Sequence, residues 1–296
     1  MGLSPAAFAQ QPTQADLSHL GTPLRSSFRV HEMHNTAQKY NLSQAGEQAM
    51  SIKWDLLAIG AGITAVGLSR WDWGSSKFHF VSEGYFGKDT YNGGMDKLGH
   101  AWTAYVLADY LSWRIGNSFP DALNADITGA ALSFGFMSYI EVSDGLSKGY
   151  GFSYQDLMAD AAGAGFSLLR HRIPGLAEKL DFRLQYWPSG DGSSLDFATD
   201  YMGQKYVLAL KPAGFEALKE TPLRFFELEL GYYARGFTHS DRDDRRRSLF
   251  AGIGLNVAEI YDAVTRRDGS MISEGVKGGL HYVQVPYTYV PAEHDF

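Results

Sequence analysis

Cysteine is absent from all 296 residues. That excludes disulfides, thiolate-held zinc or iron–sulfur centres and thiol nucleophiles, and it leaves no lipobox residue to carry an N-terminal lipid. Charge is sparse, at 20% of residues, and its balance is acidic: 26 Lys and Arg against 33 Asp and Glu, a formal net charge of −7. An acidic chain of this kind is not expected to bind nucleic acid. Apolar runs of bilayer length are scarce as well. The Gly- and Ala-rich stretch Ser51–Leu68 falls short of the ~20 residues that span hydrocarbon. The mean hydropathy of −0.22 argues against a polytopic inner-membrane protein. No G-x-S-x-G, H-E-x-x-H, P-loop or dinucleotide fingerprint occurs.

What is abundant is apolar and aromatic: 45% hydrophobic residues, 33 Gly, 17 Tyr and 18 Phe. The length permits one large domain or two ordinary ones. At the start, Ala7-Phe8-Ala9 followed by Gln10-Gln11 reads as an export cleavage site, so residues 1–9 are expected to be a signal-peptide remnant and residues 10–47 a polar arm. The terminal Phe296 is a familiar, weakly specific feature of outer-membrane barrels.

Residues 48–178 have helical periodicity. Helices are expected over Ser51–Leu68, Met95–Ile115, Asp121–Val142 (capped by Asp121) and Tyr154–Arg170, the last capped by Ser153 and stopped by Pro174. A short strand is expected at Lys77–Val81. Small residues crowd the last helix from Ala159 to Gly165 and allow neighbouring helices to approach closely. From residue 179 onward the period becomes two. Strands are expected over Phe182–Trp187, Tyr201–Lys211, Phe225–Phe237, Ser248–Ile260 and Lys277–Val290, with the charged stretch Thr238–Arg247 as a solvated connection. In the third strand Phe226, Leu228, Leu230, Tyr232 and Ala234 share one face, and Glu227, Glu229, Gly231, Tyr233 and Arg235 the other. The expected fold class is α+β: a bundle of about four helices, then a C-terminal antiparallel β-sheet or partial barrel of five to six strands. Such a sheet could lie in a membrane, close by oligomerisation or pack on the helices.

Ionisable residues recur in the apolar helices at helical spacing. Asp96 and His100 are i,i+4 with Lys97 beside them; Glu141 and Asp144 are i,i+3; Asp156 and Asp160 are i,i+4. Antiparallel packing would bring these groups to one end of the bundle. Five carboxylates against one Lys and one His leave a negative surplus that a divalent cation such as Mg, Mn, Ca or Zn would resolve, with Asp96, His100, Glu141 and Asp160 as ligands. A metal-bound water with His100 or Glu141 as catalytic base would then make a hydrolase. The competing reading is a structural network in which Lys97 and His100 bridge carboxylates and lock helix register; binding of a ligand or ion is the third. His79, His171, His239, His281 and His294 have no ligand-spaced partner and are read as satisfied or exposed.

The ordered motifs Met95-Asp-Lys-Leu-Gly-His100, Ser138-Tyr-Ile-Glu-Val-Ser-Asp-Gly145 and Gly151-Phe-Ser-Tyr-Gln-Asp-Leu-Met-Ala-Asp160 with Gly163 resemble the YfiM-like family of uncharacterised predicted periplasmic lipoproteins and are more distantly similar to VanZ-like membrane proteins. The resemblance covers roughly residues 70–172. It implies a helical bundle in the cell envelope (periplasm or outer membrane) and no particular reaction. Without cysteine the lipid tether of those relatives is not expected here, which turns attention to the strand-rich C-terminal region as the anchor. The function expected is therefore that of an exported envelope protein, structural or binding, at the outer membrane. It would associate with the membrane or a membrane-bound partner, hold a lipid or glycan and form an oligomer if the sheet requires one. The alternative is a metal-assisted hydrolase of a phosphoester or an envelope lipid or glycan.

Overall fold

A computed structural model describes residues 42–119, 122–189, 197–237, 244–265 and 270–296. The signal-peptide remnant, the arm up to residue 41, the Asp121 cap, His239 and residues 238–243 of the charged connection lie outside them.

The first described element corrects the polar arm. Residues 42–47 belong to α1 (Leu42–Ser51). The helix was illegible as a buried element because it docks through polar contacts: the buried Gln48 accepts a hydrogen bond from Thr128 (2.6 Å), and Asn124 donates to Gln44 (2.5 Å). The helix α2 (Lys53–Arg70) follows after a bend of 73°. No single described helix is long and apolar enough to cross a membrane.

The bundle proper is α3 (Met95–Gly116), α4 (Ala122–Asp144) and α5 (Tyr154–Arg172), followed by the one-turn α6 (Leu176–Lys179). Ile52, Leu111, Ile115 and Ala125 form an apolar core joining the α1–α2 junction, α3 and α4. Ala108, Ala130 and Ala164 meet where α3, α4 and α5 cross. The small residues of α5 serve this crossing, since a Cβ on Gly163 would overlap the Ala101 carbonyl of α3. The strands β1 (Phe80–Val81) and β2 (Phe152–Ser153) pair in parallel and clasp the loop between α2 and α3 onto the start of α5. The short strand expected at Lys77–Val81 survives only in its last two residues.

The C-terminal region is a five-stranded antiparallel meander, β3 (Leu180–Tyr186), β4 (Gln204–Leu210), β5 (Phe226–Arg235), β6 (Arg246–Leu255) and β7 (Tyr289–Asp295), paired in that order. Two expected strands are corrected. The fourth ends at Leu255, because the Asn256 side chain accepts from the Glu259 amide (3.2 Å) and starts α7 (Val257–Val264). The last does not run over Lys277–Val290: Ser270 caps α8 (Met271–Gly279), and the strand begins only at Tyr289. Caps outweigh the alternation there. Among the described residues the sheet is not a closed barrel. The backbone of its β3 edge meets the segment entering β7 at the isolated parallel Leu184–Val283 bridge, where Leu184 N–H donates to Tyr282 O (2.9 Å) and Gln284 N–H to Leu184 O (3.0 Å).

Bundle and sheet share a core of Met95, Leu184, Met202, Tyr206, Tyr232 and Ala234, flanked by Leu98 and Trp102. Beyond this contact the same sheet face is uncovered. The register aligns Leu208, Leu230, Ala251 and Ala292 in one cross-strand row and Leu210, Leu228, Ile253 and Val290 in the next. Leu228, Leu230 and Ile253 are 52%, 53% and 60% exposed, while Glu227 and Glu229 on the opposite face are 0% and 3% exposed. Over this half the sheet is polar inside and apolar outside.

Candidate polar site in the helical bundle

The site is built by three helices and the clasped loop. Gly94, in the left-handed region at φ 86°, turns the chain into α3, so that Asp96, Lys97 and His100 fall on its first turn and a half. Ser153 starts α5 by accepting the Asp156 amide (3.3 Å), as its spacing to Asp156 implied. Antiparallel packing then brings the end of α4 to these two starts.

Two cation-centred groups result. Lys97, itself 4% exposed, places Nζ 2.8 Å from Asp96, 2.7 Å from Asp156 and in contact with Glu83. Its three N–H groups thus face three carboxylates. His100 Nδ1 lies 3.0 Å from Asp160 and 3.6 Å from Glu141. Glu141 also accepts the Ser153 amide (3.1 Å). Asp144 stands slightly apart and accepts from the Trp73 indole (2.6 Å). Glu83 had no helical spacing to reveal it; the β1–β2 clasp delivers it.

The electrostatics follow from burial and pairing. Burial opposes the His100 charge, yet the hydrogen bond to Asp160 and the fields of Asp160, Asp156 and Glu141 hold its proton up to about 10. Burial pushes Glu141 and Glu83 up to about 8 and Asp144 to about 6. Burial likewise raises Asp160, against the pull of His100. Burial would raise Asp156 too, but His100 and Lys97 hold it below the usual range. The negative surplus is therefore relieved from within, by carboxyl protonation and two internal cations.

The proposed ligand set divides between the groups. His100, Glu141 and Asp160 offer ligand atoms within 4.8 Å of one another, whereas Asp96 joins Glu83 and Asp156. In the Asp96 group the Lys97 ammonium already takes the place a metal would need. In the His100 group the buried Asp160 Oδ2 has no hydrogen-bond partner.

The site coincides with the part of the chain that has recognisable relatives. Residues 82–172 match the family model described as predicted periplasmic lipoprotein (DUF2279). No curated protein and no solved structure matches the chain. The matched stretch runs from the loop that carries Glu83 to the end of α5, and so contains all eight side chains of the site other than the Trp73 donor. The family description agrees with an envelope location, periplasm or outer membrane.

A second buried network escaped the sequence analysis. Arg170, fully buried, bonds Asp109 (3.1 Å), Asp181 (3.0 Å), Tyr105 and the carbonyls of Leu180 and Ala177. Arg183 bonds Asp181 (2.8 Å), Glu227 (2.6 Å) and Gln284 (3.1 Å), and Lys211 bonds Asp181 (2.7 Å). His281 also faces Asp181 (3.1 Å), and His171 lies between Asp126 and Asp109, so both are satisfied histidines as expected. The alternation around Arg183 and Glu227 marked a polar face but not its burial.

Proposed function

We propose that this is an envelope protein that rests on a lipid bilayer through the exposed apolar face of its sheet, with the helical bundle as a rigid body held beside it. The observation that carries this reading is the inversion of the sheet: two leucine-rich cross-strand rows face outward while Glu227, Glu229 and Arg183 are buried within. A soluble sheet alternates the other way. Apolar surface of this extent is stabilised by transfer out of water at about 25 cal/mol per Å². The envelope description of the matching family supports a bilayer as the occupant. The YfiM- and VanZ-like order of motifs belongs to the same reading, and so does an outer-membrane position. The bundle site acts here as a register lock, because Lys97 and His100 supply its cations.

The test is flotation of the purified protein with phospholipid vesicles. The protein should rise with the vesicles, and Leu228→Glu or Ile253→Glu should leave it at the bottom with an unchanged melting temperature. A protein that stays at the bottom unmutated overturns the reading. A dimer abolished by the same substitutions would assign the face to a second copy instead.

One observation favours metal-assisted hydrolysis of a phosphoester or envelope lipid or glycan as a second reading: the unpartnered, buried Asp160 Oδ2 beside His100 and Glu141. On that reading Zn²⁺ or Mn²⁺ raises the melting temperature of the native chain and not that of Asp160→Asn. The absence of any metal-dependent shift removes it.

A further inference from the structure

At one end of the curled sheet the polar interior opens to solvent in a cleft of about 560 Å³. Its walls come from β3, β4, β5 and the segment that enters β7, far from the bundle site in sequence. Three features of the cleft are left incompletely answered by the fold.

The first is charge. Lys205 and Arg235 line the cleft, in a chain whose net charge is −7. Arg235 donates to the Gln204 and Ala234 carbonyls (3.0 and 2.7 Å), and no carboxylate lies within ion-pair distance of it among the described residues. The nearest ion-pair partner of Lys205 is Glu293, at a long 3.7 Å. Both cations lean on the Tyr233 ring, at 4.2 and 4.7 Å. The second is an open acceptor. Gln185, 9% exposed, lines the cleft with a buried Oε1 that has no hydrogen-bond partner. An unpaired buried amide oxygen is costly unless something outside the chain donates to it.

The third is an aromatic corner, two rings set edge to face at 72°. Trp187 and Tyr287 are 62% and 89% exposed at the rim, with ring centroids 6.4 Å apart. Tyr287 sits at φ 64°, in the left-handed region, directly after Pro286. That conformation is unfavourable for a residue with a Cβ. It is braced from beneath: Gln284 donates to Thr288 (3.1 Å), Thr288 to the Val285 carbonyl (2.7 Å), and Leu255 N–H to the Thr288 carbonyl (2.9 Å). The fold thus keeps a strained tyrosine pointing into water rather than letting it bury.

We propose that this cleft binds a sugar carrying an anionic substituent, phosphate or carboxylate. The sugar ring packs into the corner between Trp187 and Tyr287, stacking on one ring and abutting the other, a hydroxyl donates to Gln185 Oε1, and the anion sits between Lys205 and Arg235. Each element of the cleft answers one part of such a ligand: apolar ring faces need aromatic surface, hydroxyls need acceptors, and the anion needs charge-assisted donors. Inorganic phosphate would use only the cations, and a neutral sugar only the rest. The proposal is independent of bilayer docking, because the cleft opens from the interior of the sheet and not from its leucine-bearing face.

The test is calorimetric titration of the full chain with glucose 6-phosphate and glucuronic acid, with glucose and inorganic phosphate as controls. The two anionic sugars should bind at least about tenfold more tightly than either control. Trp187→Ala, Tyr287→Ala and Arg235→Gln should each weaken them by about tenfold or more; the two aromatic variants are at exposed positions and leave the melting temperature unchanged, so a folding defect in Arg235→Gln does not disarm the test. Tighter binding to vesicles bearing a phosphorylated-disaccharide glycolipid would identify the ligand as a lipid headgroup, and preference for the free sugars a soluble glycan. Equal affinity for inorganic phosphate, no heat with either anionic sugar, or full binding by the aromatic variants overturns the proposal.

Discussion

His100 illustrates how a single side chain acquires its role from its surroundings. In water its proton leaves near neutrality. Here burial works against the charge, but Asp160, Asp156 and Glu141 retain the proton to about 10. Glu141 and Glu83 are shifted in the same sense, from 4.5 to about 8. All three groups hold protons more tightly when folded, so the native state is the more protonated one and stability declines as pH rises. For His100 the contribution is complete below its ordinary value of 6.5 and disappears as pH climbs through about 10. Melting temperature should therefore fall steadily over this window, by roughly 5 °C or more. In His100→Gln the slope should be shallower above 6.5. An identical slope in the variant would show that the histidine is not charged in the folded protein.

At the scale of elements, the crossing of α3 and α5 depends on what is missing from Gly163. Its backbone lies against the Ala101 carbonyl, and Asp160, one turn earlier, reaches His100 because the helices are this close. Gly163→Ala must push the helices apart, since the obstacle is backbone and has no rotamer to escape into. We expect a loss of about 1–3 kcal/mol, read by denaturant titration, while the same substitution at Gly165, with open space around its Cα, should be neutral or slightly stabilising. The elements of this bundle were legible because i,i+4 pairs on apolar helices stand out against their neighbours. Glu83 and α1 were not: a loop carboxylate brought in by a two-residue strand pair, and a helix docked through Gln48, leave no periodic apolar signal. Two strands are misplaced for a related reason: Asn256 starts a helix inside the alternating stretch Ser248–Ile260, and the helix that Ser270 starts runs on to Gly279, into the stretch expected as a strand from Lys277.

For the whole molecule, Arg170 is the fastener between bundle and sheet. It leaves α5, takes Asp109 of α3 on one side and Asp181 of β3 on the other, and is fully buried. Replacing it by Leu takes the buried guanidinium from Asp109, which keeps only the neutral donors Ser167 and Tyr282 and the nearby His171, while Asp181 retains Arg183 and Lys211; breaking such a buried pair costs about 3–5 kcal/mol. Because the loss falls on the junction, unfolding of Arg170→Leu should separate into two calorimetric transitions, whereas the native chain should melt in one. A single transition at lower temperature would mean that the apolar contact around Met95 and Tyr206 couples the two parts without it.

The amino-acid sequence alone determined the periodicities and hence the broad order of the chain: the bundle helices first, the sheet after, the two faces of its first four strands, and seven of the eight ionisable side chains of the bundle site. These are local properties, carried by spacings of two, three and four residues. Tertiary structure alone decided which face of the sheet is inside. Alternation separates Leu228 and Leu230 from Glu227 and Glu229, but only the curl of the sheet, with Arg183 and Gln284 waiting in its interior, makes burying the glutamates cheaper than burying the leucines. It likewise decided that five of the six carboxyls of the bundle divide between an ammonium and an imidazolium while Asp144 turns to the Trp73 indole, because partners are chosen by distance in space and not by spacing along a helix.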